Sequence, residues 1–184
     1  MKVMRINQYC VILLLLTTGC EVTPRNQTAP IKLTCPENMS TLSRRLRAAI
    51  PVAPDYPPSL NDVLPLVYNR TLFVCPDTGN RPGSSTNVAD WSDYIYIGNL
   101  PDLLEDTRVP LLICPPENNH EKCGYVVWLD GSVSQLSSEE TRRLIAAPFM
   151  LATKIPTEKC AELRKRVVVQ VPRRFYNAYT HRTY

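Results

Sequence analysis

Seven cysteines and two histidines are the side chains of this 184-residue chain best equipped for chemistry. Cys114, His120 and Cys123 share one short stretch, CPPENNHEKC, while Cys35, Cys75 and Cys160 are scattered through the rest. Thiolates and imidazole are the donors that zinc selects. Cys114, His120 and Cys123, with Cys75 as a fourth donor, therefore form a candidate metal site, although Cys-x5-His-x2-Cys is not the spacing of a standard zinc ribbon. Oxidation competes for the same sulfurs. A Cys114–Cys123 bridge would close a loop around His120 and stabilise the fold by roughly 2.7 kcal/mol through loop-closure entropy. Cys75 would then pair with Cys35 or Cys160, leaving one thiol to join two copies or to stay buried. Free thiols are the third outcome.

Few other residues suggest a reaction. His120 reads as a structural histidine whose ring nitrogens bond the loop before a hairpin, and Asp130-Gly131 as turn chemistry. A serine triad would need His120 or His181, and the chain contains no nucleophile elbow, phosphate loop or His-Glu-x-x-His. Asp90, Asp93, Asp102, Glu105 and Asp106 are carboxylates, and Asp90 with Asp93 could bind calcium, with a spacing unlike an EF-hand. The expectation is a non-enzyme with no required cofactor, zinc and calcium being the alternatives. Asn26, Asn38 and Asn69 open glycosylation sequons, which matter only in a eukaryotic host.

The N-terminus bears on which thiol chemistry applies. Lys2 and Arg5 precede an apolar run, Tyr9 to Leu16, and then Thr17, Thr18, Gly19 and Cys20. This is the order of a secretory signal, with an apolar run too short to span a bilayer. Leu16-Thr17-Thr18-Gly19-Cys20 resembles the lipobox of bacterial lipoproteins, with Thr17 where Leu is usual. That resemblance implies acylation of Cys20 and a membrane anchor, firm if two or more chains are attached. Glu21, in place of Asp, favours the outer membrane under the enteric sorting rule. An exported chain meets an oxidising compartment, so disulfides are the default expectation for the remaining cysteines.

Residues 21–40, with three prolines and no sustained periodicity, read as a flexible tether. The whole chain has 17 prolines against 6 glycines, which predicts short elements and many loops. Net charge is +4, too small to imply nucleic acid, but Arg164, Lys165, Arg166, Arg173, Arg174 and Arg182 form an acid-free basic segment. It reads as a solvated tail that could also touch a polyanion. Ser40 or Ser43 caps a short helix to Ala49, and Ser59 to Tyr68 suggests a second, interrupted by Pro65. Residues 94–97, 109–114, 124–136 and 167–171 carry strand patterns, with a type I′ hairpin at Asp130-Gly131. Ser137 and Glu140 have capping-box spacing for a helix through Leu144 and Ile145. The domain predicted over residues 41–158 is α+β, with short N-terminal helices on a three- to five-stranded antiparallel sheet. A basic C-terminal segment, 159–184, follows it.

Phe73-Val74-Cys75-Pro76, then WSDYIYIGNL over 91–100, then His120 followed after nine residues by Asp130-Gly131 and a Ser-rich helix start, form an ordered set. It resembles the prepilin-like proteins named for a His-x9-Asp-Gly motif, which are abundant in planctomycetes and their relatives. The likeness spans roughly residues 60–147. It implies a pseudopilin-like head, as in type II secretion and type IV pilus systems, and no catalytic role for His120, Asp130 or Gly131. The polymerising stem of that family is missing, because the apolar segment here precedes Gly19. The expected function is thus an envelope lipoprotein whose head mediates protein contacts in the periplasm or at the cell surface. The alternative is a small metal- or ligand-binding lipoprotein using the Cys114–Cys123 loop.

Overall fold

Strand periodicity in the middle of the chain builds a five-stranded, wholly antiparallel sheet. In the computed structural model, residues 33–48, 55–101, 108–118, 120 and 122–179 are described. The leader, Cys20, most of the tether, Asp102, Glu105, Asp106 and His181 lie outside the described residues. The strands are β1 (Ile95–Gly98), β2 (Pro110–Cys114), β3 (Cys123–Trp128), β4 (Val133–Ser137) and β5 (Val168–Gln170), in the order β4-β3-β2-β1-β5. Four helices of α type accompany the sheet before and after it: α1 (Cys35–Ala48), α2 (Leu60–Val63), α3 (Ser138–Ala146) and α4 (Thr157–Arg166); a last turn, α5 (Tyr176–Tyr179), closes the described chain. The fold is α+β, with strand number at the top of the expected range. No helix of the described residues is long and apolar enough to cross a membrane.

Side chains alternate across a strand, so register assigns them to faces. Ile95, Ile113 and Val126 align on one face, and Tyr96, Leu112 and Val127 on the other. The first face meets α3, where Gly124 lies so close to Thr141 that a Cβ would come within 2.6 Å of its side chain. The second meets α1, whose Asn38 reaches the Tyr94 hydroxyl at 3.0 Å. Every residue of β1 and β2 is buried as a result.

Three expectations are corrected. The helix expected from Ser40 or Ser43 begins earlier, at Cys35, within the segment read as tether. Cys35, Met39, Leu42 and Leu46 recur at helical spacing and are all buried, and Pro36, in the first turn, removes no intrahelical hydrogen bond. The hairpin is not type I′. Gly131 has φ +85° while Asp130 keeps a negative φ, and the Gly131 N–H donates to the Trp128 carbonyl at 2.9 Å. That is a type I turn closed by a left-handed glycine, the longer of the common hairpin solutions. Finally, the basic segment is not a free tail as far as Tyr179. It forms α4, then β5 against β1 through Gly98–Val168, Ile97–Val169 and Tyr96–Gln170, and then buries Phe175.

Candidate metal centre

Four donor side chains converge beneath α1. Cys35, Cys75, Cys114 and His120 each contribute one ligand atom, and these atoms all lie within 4.8 Å of one another. Each arrives from a different place in the chain. Cys35 is the first residue of α1. Cys75 follows a 3-10 turn, Arg70–Phe73, and its N–H is held by the Asp93 carboxylate at 2.9 Å. Asn38, buried in α1, donates to the adjacent Val74 carbonyl at 2.9 Å and so fixes this segment against the helix. Cys114 ends β2. His120 closes the turn after it, where its N–H donates to the Pro116 carbonyl at 3.2 Å and its ring packs edge-on against Tyr125.

The distances suit a tetrahedral ion. His120 Nε2 lies 3.4 Å from Cys75 Sγ and 3.3 Å from Cys114 Sγ. Zinc bonds of about 2.3 Å to sulfur and about 2.0 Å to nitrogen, at the tetrahedral angle, put such a pair about 3.5 Å apart. With Nε2 facing the sulfurs, Nδ1 carries the proton and faces an Asp77 oxygen at 3.6 Å, beyond hydrogen-bond length but close enough for charge to act. Asn118 Nδ2 donates to Cys114 Sγ at 3.1 Å. These are the outer partners that orient metal ligands.

Electrostatics give the same picture. Hydrogen bonds from Cys114 and then Cys35 drive the Cys75 thiol far below its usual range. Burial pushes Cys114 far above it. At Cys35 the bond from Cys114 works downward, but the bond to Cys75, burial and the nearby negative charge outweigh it, and the net shift is upward. His120 is raised chiefly by its bond to Cys75. These directions favour ionisation at Cys75 and oppose it at Cys35 and Cys114. A divalent ion supplies the missing positive charge and lets the other two ionise, releasing protons as it binds.

The site differs in membership from the one the sequence suggests. Cys114 and His120 belong, Cys75 belongs, Cys35 joins them, and Cys123 does not. The structure leaves all five domain cysteines free, so Cys114 and Cys123 are not bridged. Register explains it: Cys114 pairs with Tyr125, while Cys123 pairs with Ser137 on the far side of β3. The Cys114–Cys123 diagonal spans about 7–8 Å, more than a disulfide allows. Cys160 is buried on α4 near the Ile155 carbonyl. Asp130-Gly131 lies past the opposite end of β3, about 20 Å of strand away from His120. Calcium at Asp90 and Asp93 is excluded by geometry. Asp90 is exposed, and both Asp93 oxygens are already engaged by Cys75 N–H, Thr78, Asn80 and Arg174.

One signal separates the members from the rest. Cys35, Cys75 and Cys114 are each followed by proline, whereas Cys123 and Cys160 are not. Proline withholds an N–H and biases the residue before it away from helix, so Cys-Pro marks an element boundary. All three thiols stand at such boundaries.

No family model, no curated protein and no solved structure matches the chain.

Proposed function

We propose that the chain is a small envelope domain organised around a Cys3His centre for a tetrahedral divalent ion, with zinc the best fit. The observation that carries this reading is the convergence within 4.8 Å of four donor atoms from three separate segments, Cys35, Cys75 and the Cys114–His120 stretch. The ion acts as a structural clamp. Cys35, Cys75 and Cys114 are 1%, 1% and 0% exposed, which gives no approach for a substrate, and all four tetrahedral positions are taken by protein. A reactive thiolate needs access, and Cys75 has none. The role is therefore binding and structure, not catalysis.

The setting is the one the leader suggests: export, acylation of Cys20 and display behind a tether. The pseudopilin-like reading is supported by α1 lying across an antiparallel meander, β1 to β4. It gives the clamped head a role in protein contacts, which the metal would serve by keeping α1 fixed to the sheet.

Elemental analysis of protein purified without chelator tests the metal. One equivalent of zinc is expected per chain, lost in Cys75→Ser and Cys114→Ser and retained in Cys123→Ser. Metal-free protein whose cysteines are fully oxidised on isolation from the envelope would overturn the reading. Fractionation of Cys20→Ser tests the anchor separately: release from the membrane is expected, and unchanged membrane retention counts against it.

A further inference from the structure

We propose that residues 168–179 form a strap that clamps the ligand loop from outside, and that Arg174 is the positioning residue through which its docking sets metal affinity. This inference rests on the metal reading of the Cys3His centre.

The strap is tied at both ends. At one end β5 pairs with β1, and Gln170 accepts the Leu60 N–H at 2.7 Å. At the other, Phe175 is buried and the Tyr179 hydroxyl donates to the Glu117 carboxylate. Between them, Arg174 reaches inward. Its Nη2 donates to Asp93 Oδ1 at 2.7 Å and also to Asn118 Oδ1. Each of those residues holds one ligand. Asp93 accepts the Cys75 N–H, while Asn118 donates to Cys114 Sγ at 3.1 Å and to the Asp93 carbonyl at 2.7 Å. Glu117 and Asn118 sit in the same turn as His120. One guanidinium thus ties together the supports of two of the four ligands, Cys75 and Cys114.

Charge gives the contact its direction. Three thiolates and a divalent ion leave one net negative charge, and the Asp93 carboxylate, 0% exposed, stands next to it. Arg174 is the cation that faces this carboxylate. Without it a buried anion would press on an already anionic centre. Linkage then runs both ways: strap docking tightens the metal, and metal occupancy tightens the strap. Removal of outer partners of metal ligands lowers affinity by about 10- to 100-fold.

The test uses the mature domain stripped of metal and titrated with Co2+, then with Zn2+ against a chromogenic chelator. Wild type should show the charge-transfer and ligand-field bands of tetrahedral thiolate cobalt. Arg174→Ala should weaken binding about 10- to 100-fold while keeping the band positions, because the ligands themselves are intact. Arg174→Lys, which keeps the charge on a shorter side chain without the planar guanidinium, should fall between, and the surface variant Arg143→Ala should match wild type. If wild type lacks the tetrahedral cobalt spectrum, the metal reading itself fails. If wild type shows it and Arg174→Ala binds within about twofold of wild type, the strap inference alone fails. Should Arg174→Ala not fold, hydrogen exchange on wild type decides. Zinc should slow exchange across residues 168–179, and equal exchange with and without zinc would overturn the coupling.

Discussion

The two faces of the sheet close in different ways. Towards α3 the layer is aliphatic: Ile95, Ile113, Val126, Leu144 and Ile145 are all buried. Burial of such side chains needs no partner chemistry and contributes roughly 1.5–3 kcal/mol each. Towards α1 the layer holds Tyr94, Tyr96, Asn38 and three thiols with a histidine, a set that packs poorly unless each polar atom is satisfied. The hydroxyls and the amide find carbonyls, as Asn38 and Tyr94 do at Val74. The thiols and the imidazole meet mainly one another, with Asn118 donating to Cys114 Sγ, and a cation would complete the set. Some small proteins staple the core with disulfides; this one assembles the same residues in a geometry suited to an ion.

If the faces differ as described, chelation should be the largest perturbation. Stripping metal by EDTA at free zinc initially a thousandfold above Kd would remove about 4 kcal/mol. Calorimetry should show this as a drop in Tm of about 8–16 °C, at about 2–4 °C per kcal/mol for a chain of this size. A reductant alone should not reproduce it. Leu144→Ala, on the aliphatic face, should cost about 2–5 kcal/mol by urea denaturation, centred near 3. Its effect should add to that of chelation, since the two sites share no partner; a strongly non-additive result would mean the faces are coupled through the sheet. Gly124→Ala probes the layer between them, because its Cβ would meet the Thr141 side chain at 2.6 Å and the Cys114 carbonyl at 2.9 Å. A loss of about 1–3 kcal/mol is expected, together with weaker metal binding. The smallest effect should come from Glu140. Its carboxyl is held below the usual range by the Ser137 hydroxyl and N–H. A depressed folded-state pKa stabilises above the unfolded value and is lost as pH falls through the folded one. Glu140→Gln should therefore flatten the acid side of the stability profile and leave metal affinity unchanged.

The aliphatic face was legible because period-2 alternation and turn residues are local signals. Residues 94–97, 109–114 and 124–136 read as strands and are strands, and Ser137 with Glu140 forms the expected capping box. The centre was half legible. Cys114 and His120 could be grouped because they are near in sequence, and Cys123 was included for the same reason. Proximity along an antiparallel hairpin is a poor guide, since register put Cys123 opposite Ser137. Cys35 was invisible, because its place depends on α1 starting inside a proline-bearing stretch with no long apolar run. The strap was hidden too: Val167 to Val171 reads as a strand, but nothing local tells Arg174 to turn inward to Asp93.

The first and last ligands, Cys35 and His120, are separated by most of the folded chain. If the chain is exported as proposed, Cys35 emerges early and His120 late, so an ion at the proposed centre cannot be captured as the chain emerges. Loading must wait for the sheet to form at least as far as β2. During that interval three thiols of such an exported chain would face whatever oxidants surround it. The protein's yield in the cell should thus depend on a race between metal supply and thiol oxidation, decided before the fold is finished.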